Sequence, residues 1–171
     1  YRARRGDHRY LVVDGKEMRP VDNDDFGDPI YSPDSQRKAI FTGSDSRPHW
    51  IIDGKPEQMF DGVSALCFSP DSQRFTYVGH RGNRSHIVTD GVESRAYAMV
   101  GESPVCFSPD SRHVAYLTER DRKCRLVLDG KEGSEYDWVG RCLAFSSDSR
   151  HVAFLAGRGR VVSLDAQADE V

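Results

Sequence analysis

The chain has 171 residues, a net charge of −3, 37% hydrophobic and 30% charged residues. That length supports one domain with a core of its own. The longest apolar runs span only a few residues, too short for a membrane-crossing helix, and the net charge gives no reason to expect a nucleic-acid partner. The chain starts at Tyr1 without Met or a signal-like segment, which suggests a fragment or a trimmed chain.

An internal repeat of about 38 residues organises everything that follows. Ser32-Pro33-Asp34-Ser35 recurs as Ser69-Pro70-Asp71-Ser72, Ser108-Pro109-Asp110-Ser111 and Ser146-Ser147-Asp148-Ser149, at spacings of 37, 39 and 38. Asp-Gly recurs at Asp14-Gly15, Asp53-Gly54, Asp90-Gly91 and Asp129-Gly130, and Asp165-Ala166 reads as a degraded fifth copy. Tyr1, Ile40, Tyr77 and Tyr116 each lie 13 residues before those four Asp residues, and Phe154 lies 11 before Asp165. Three markers in register divide the chain into units 1–25, 26–62, 63–101, 102–139 and 140–171.

In chain order, the first unit enters at a second strand, B. It turns through Arg4–Arg9 into strand C, turns again at Asp14-Gly15, and passes into the acidic stretch Asp22–Asp28. That stretch resembles a calcium loop, but Phe26 stands where a ligand is needed and no Glu closes it at the right distance. It reads as a solvated loop. The third unit shows the full plan. Strand A, 64–69, ends in Pro70-Asp71, where Pro presets φ and Asp bonds the backbone two residues on. Strand B, 74–79, is apolar on both faces through Thr76-Tyr77-Val78, so a layer is expected on each side. Ala115-Tyr116-Leu117 and Ala153-Phe154-Leu155 repeat that feature. Strand C, 85–89, ends in the two-residue turn Asp90-Gly91, which requires positive φ. Strand D, 93–99, is more polar, as an outer strand should be. Helix is not a rival, because Ser-Pro-Asp and Asp-Gly would break one in every unit. The fold expected is therefore all-β: a β-propeller of four-stranded antiparallel blades, about five units, with both end units incomplete.

Phe68-Ser69-Pro70-Asp71-Ser72 followed by Phe75-Thr76-Tyr77-Val78, and Phe107-Ser108-Pro109-Asp110-Ser111 followed by Val114-Ala115-Tyr116-Leu117, resemble WD-repeat-like blades, and the bacterial TolB-type propeller repeat most of all. That pattern usually ends in Gly where this chain has Ser. No Trp-Asp pair follows strand C; the place holds Val13-Asp14, Ile52-Asp53 or Leu128-Asp129. The resemblance spans almost the whole chain and implies a fold, not an activity, since such propellers host scaffolds, receptors and enzyme-gating domains alike.

The phase of the repeat does not close a ring by sharing one blade between the two ends, because both end units bring their own B and C. A larger propeller, a five-bladed ring with trimmed end blades, and pairing of open edges with another copy or chain each fit.

The B–C loops bring the most chemistry together. They hold 12 of the 24 Lys and Arg residues, against Asp7, Asp45, Glu119 and Asp121 as acids. Arg5, Arg9, Arg47, Arg81, Arg84, Arg122, Arg125, Arg158 and Arg160 form the candidate rim. It would attract an anionic ligand or an acidic partner protein. Few aromatics lie among them, so stacking on single-stranded nucleic acid is poorly supported. The function expected is a non-catalytic interaction or scaffold module. A gating propeller of a prolyl-oligopeptidase-like hydrolase and a carbohydrate-binding propeller are the alternatives. Trp50 and Trp138 sit at unrelated repeat positions, which argues against the last. No catalytic residue, metal site or cofactor is expected: the motifs G-x-S-x-G, H-E-x-x-H and Walker A are absent. The six histidines do not converge: His113 and His151 share one repeat position and His49 and His86 another, each pair a blade apart. Cys67, Cys106, Cys124 and Cys142 contain no C-x-x-C pair and are expected to be free, buried and apolar in role.

Overall fold

The Ser-Pro-Asp-Ser segments are tight turns, and their last residue takes the left-handed conformation: φ is 61° at Ser35, 65° at Ser72, 66° at Ser111 and 65° at Ser149. The Ser32, Ser69, Ser108 and Ser146 hydroxyls each bond the Asp two residues on, at 2.5–2.6 Å. The same Asp accepts the amide of the residue two further along. These bonds hold Asp34, Asp71, Asp110 and Asp148 below the ordinary carboxylate range, with the serine hydroxyl the largest cause. Asp53-Gly54, Asp90-Gly91 and Asp129-Gly130 turn with positive φ at both residues, 51° and 80° at Asp90-Gly91, as a tight hairpin between twisted strands demands.

These turns join strands into five antiparallel sheets. The computed structural model describes residues 2–5, 8–13, 15–17, 27–43, 48–100, 105–158, 161–163 and 166–167. The third blade runs Gly62–Phe68, Phe75–Arg81, Arg84–Thr89 and Val92–Glu93, hydrogen-bonded in that order. Its strand D is only two residues long before the chain bends, and it rejoins strand C at the single bridge Ser85–Tyr97. The first sheet holds Arg2–Arg5, His8–Val13 and Lys16–Glu17, the counterparts of B, C and D. In the fifth, Val161–Ser163 and Ala166–Gln167 both pair with His151–Arg158. Ala166 and Gln167 thus pair with the same strand as Val161–Ser163, and Asp165, of the degraded turn expected at Asp165-Ala166, lies outside the described residues.

Alternation along strands B and C places the core between blades. Tyr77 and Val88 pack with Ala39, Trp50 and Ile52 of the second blade. Their neighbours Val78 and Ile87 pack the other way, with Val114, Tyr116 and Val127 of the fourth. Leu117, Leu126 and Leu128 then meet Val152, Phe154 and Ala156 of the fifth. The apolar-on-both-faces reading of strand B is met in the third and fourth blades, where Tyr77, Val78, Tyr116 and Leu117 are all buried, but not in the fifth: there Phe154 is buried while Ala153 and Leu155 are exposed, because no described blade covers that face.

A second repeated device staples the blades at their turn end. The Asp34, Asp71 and Asp110 amides donate to the hydroxyls of Ser72, Ser111 and Ser149 in the following blade, at 2.9–3.1 Å. Arg74 bonds Asp90 at 2.8 Å within its blade. It donates onward to the Ser111 and Arg112 carbonyls at 3.2 and 2.8 Å, with its guanidinium over the Phe107 ring. Arg37 makes the same contacts to Asp53, Ser72, Gln73 and Phe68. Each positive-φ serine costs about 1 kcal/mol relative to Gly. In return its hydroxyl accepts the inter-blade bond, which Gly cannot do; hence Ser where the related pattern has Gly.

All four cysteines are free. Burial pushes the Cys67 and Cys106 thiols up to about 11. The expectation of four buried thiols is corrected: Cys67, Cys106 and Cys124 are half-buried, and Cys142 is exposed because its strand, Trp138–Phe145, shows that side to solvent.

Candidate functional site

The B–C connections are tighter than loops. Phe75–Arg81 and Arg84–Thr89 are joined by Gly82-Asn83, and Val114–Arg120 and Lys123–Leu128 by Asp121-Arg122. Gly82, Asp121 and Arg122 carry positive φ. The register sets Arg81 opposite Arg84 and Arg120 opposite Lys123. In the first sheet Arg4 lies opposite Arg9 and Arg5 opposite His8. Like charges directly opposite each other repel, so the hairpin ends need counter-charges.

Those come from acids beyond the loops. Glu93 takes Arg81 at 2.5 Å and lies 2.8 Å from His86. Glu132 is shared by Arg95, Arg120 and Arg125, at 3.5, 3.2 and 3.7 Å. Asp137 bonds Lys123 at 2.6 Å and thereby raises the lysine's pKa. Asp61 accepts the Gly82 amide at 2.7 Å and holds that turn. Reading the loops alone missed these acids, because strand D and the segment after it run back along the hairpins. The signal in the sequence is the 12-residue interval from Arg81 to Glu93 and from Arg120 to Glu132.

The candidate arginines therefore separate. Arg84 and Arg122 are exposed and make no ion pair among the described residues. Arg81 is paired with Glu93, and its guanidinium lies 4.4 Å from the Phe60 ring centroid. Arg158 is exposed but engaged: its Nε donates to the Glu135 carbonyl at 3.1 Å and its guanidinium covers Tyr136. Arg125 does not face the rim. Its side chain is 7% exposed, pairs with Glu132 and Glu135, and donates to the Arg120 and Lys123 carbonyls at 3.0 and 3.3 Å. It braces the hairpin from beneath, because strand alternation turns residue 125 inward. Arg5 and Arg9 lie on their strands with side chains outside the described set. Arg47 and Arg160 lie outside the described residues, as does the acidic run from Asp22 to Phe26.

One Ser–His contact has the geometry of a relay. Ser64 Oγ lies 3.2 Å from His80 Nε2, and His80 Nδ1 lies 3.1 Å from Ser85 Oγ. The third member is a hydroxyl, not a carboxylate, and so brings no charge to stabilise an imidazolium. Among the described residues no group of three or more His, Cys, Asp or Glu is placed to hold a metal ion. No helix there is long and apolar enough to cross a membrane.

Comparison with solved structures gives the fold its name. TolB from Acinetobacter baumannii matches over 95% of this chain and 47% of its own, with a TM-score of 0.53 and 16% identity. This is a β-propeller fold. The putative TolB from Agrobacterium tumefaciens matches over 90% and 62% of the two chains, at TM-score 0.47 and 16% identity. A putative 6-phosphogluconolactonase from Bacteroides uniformis matches over 96% and 65%, at 0.45 and 11%. The propeller described here thus spans about half to two thirds of the chains it matches. No protein-family model and no curated protein matches it. At these identities the likeness concerns the fold alone, which agrees with the TolB-type repeat read from Ser-Pro-Asp-Ser and the apolar strand B.

Proposed function

We propose that this propeller is a non-catalytic interaction module that engages an acidic segment of a partner protein at its B–C hairpin end. The observation that carries this reading is the pair Arg84 and Arg122, exposed at neighbouring hairpins with no ion pair among the described residues, while Arg81, Arg120, Lys123, Arg125 and Arg158 are matched or pinned. Matched groups hold the hairpins in shape, and unmatched ones keep charge for a partner. Two solvated guanidiniums attract anions over about a Debye length, ~8 Å at physiological salt, so the binding is weak and salt-dependent.

The test is charge reversal. Arg84→Glu with Arg122→Glu should elute earlier from a sulfonate column and lose affinity for a labelled poly-glutamate peptide, with a shallower salt dependence. Unchanged retention and unchanged peptide affinity would show the tips to be solvated surface only.

A further inference from the structure

The junction between the second and third blades and that between the third and fourth are built alike and filled differently. After strand D of the second blade come Glu57 and Gln58. Gln58 Nε2 donates to the Gly91 carbonyl, in the C–D turn of the third blade, at 2.9 Å. Glu57 faces the Tyr77 hydroxyl, and burial pushes its carboxyl above the ordinary range. Matching backbone bonds identify the counterparts one blade on. The Glu57 amide donates to Trp50 and the Ser94 amide to Ile87, so Ser94 and Arg95 stand where Glu57 and Gln58 do.

Neither repeats the counterpart's contact across its junction. Ser94 is short, and its hydroxyl is held by the Ile87 amide and the Arg95 carbonyl, both at 2.9 Å. Arg95 reaches instead to Glu132. What remains is a cleft of about 410 Å³ with an apolar lining of Ile87, Val114 and Tyr116, and with Asp129 and Gly130 of the fourth blade's C–D turn at its edge. Gly130 occupies the place of Gly91, and Tyr116 that of Tyr77. Val92, 73% exposed, also lines it. The volume is that of a small-ligand pocket, and it lies at the turn end, away from the hairpin tips.

We propose that this cleft receives the carboxamide of a glutamine side chain from an extended segment of a partner protein. The protein supplies the precedent: Gln58 closes the preceding junction by donating to the glycine carbonyl of the same turn. The guest amide would donate to the Gly130 carbonyl and set its own oxygen toward the Tyr116 hydroxyl, with its methylenes against Ile87 and Val114. Charge selects against a carboxylate, because Asp90, Glu93 and Asp129 line the cleft with Arg74 as the lining cation. The raised pKa of Glu57 in the equivalent setting points the same way. An ammonium is disfavoured too, since each lining acid is already engaged, Asp90 by Arg74, Glu93 by Arg81 and His86, and Asp129 by His113 at 2.6 Å, so a second desolvated cation would have to share a partner.

The experiment is an NMR titration of the full chain with a capped Ser/Ala heptapeptide carrying one central Gln, and with its Glu and Lys counterparts. The Gln peptide should shift the Ser94 and Gly130 amides and bind most tightly of the three. Ser94→Glu with Arg95→Gln installs the protein's own filler from the second blade and should weaken Gln-peptide binding at least about tenfold. Tyr116→Phe keeps the packing, as Phe154 does in the fifth blade, and should weaken it less. No shift at Ser94 and Gly130 up to about 10 mM peptide, or binding unaffected by the filler pair, overturns the site. Tighter binding of the Glu or Lys peptide overturns the carboxamide assignment. Arg84 and Arg122 take no part, so their reversal should leave this titration unchanged, and the two readings fail separately.

Discussion

The two ends of the blades are fixed in different ways: the turn end by bonds between neighbouring sheets, the hairpin end largely by ion pairs within a sheet. At the turn end the solution is copied: a serine hydroxyl one blade on accepts each Asp amide, and Arg37 and Arg74 repeat one set of contacts. At the hairpin end one pair is copied, Arg81–Glu93 as Arg120–Glu132, and the remaining counter-charges are improvised. Glu93 serves Arg81, Glu132 serves three arginines, and Asp137 serves Lys123. Copying fixes geometry and leaves little freedom for a partner. Arg84 and Arg122 make no ion pair among the described residues, and on the proposed reading they are the charges offered to a partner. The difference teaches where to seek function in a repeat protein: in what departs from the repeat.

That contrast can be broken most sharply at Arg125. If it braces the hairpin, Arg125→Ala should destabilise the chain by about 3 kcal/mol, since a nearly buried ion pair loses one partner; urea denaturation measures this. A ligand-facing arginine would show no such loss.

A smaller effect is expected at the turn end. Arg74→Ala removes one ion pair and two charge-assisted bonds to the next blade and should cost about 1–2 kcal/mol. The fourth blade carries His113 at this position. It keeps the bond to its own turn, Asp129 at 2.6 Å, but is too short to copy the arginine's reach. His113→Arg should therefore stabilise the fourth–fifth junction by about 0.5–1 kcal/mol, by reaching the Ser149 and Arg150 carbonyls as Arg74 reaches Ser111 and Arg112. A destabilised His113→Arg protein would show that the clasp is not portable.

Acid sharpens the same comparison. Asp34, Asp71, Asp110 and Asp148 have folded pKa values below their unfolded ones, so their contribution is full above the unfolded value, about 4. It is lost as pH falls through the folded values. Urea midpoints should fall across that window, and Ser69→Ala should reduce the fall by freeing Asp71. The smallest effect is chemical: Cys142 should react with a thiol reagent before Cys67 and Cys106, whose raised pKa values and burial keep them protonated. Mass spectrometry after brief labelling decides the order.

Much of the fold was legible in the residues because turn chemistry is local. Asp-Gly and Ser-Pro-Asp-Ser state their own backbone angles, and Tyr77-Val78 and Tyr116-Leu117 state that strand B is covered on both sides. The binding surface was legible only in outline. A count of arginines in B–C segments could not know that residue 125 turns inward. Nor could it know that Glu93, Glu132 and Asp137 fold back onto those segments, since side-chain neutralisation depends on which strand lies beside which.

The sequence by itself therefore determined the repeat, its four-stranded plan and the positions of its turns. Each of these follows from interactions within a few residues or from one apolar period. Only the tertiary structure decided which charges are cancelled, why Ser replaces Gly, and that Gln58 reaches across one junction to Gly91 while its counterpart Arg95 turns to Glu132 at the next. Those outcomes depend on residues about a blade apart in the chain, brought within hydrogen-bond distance only when one blade stacks on the next.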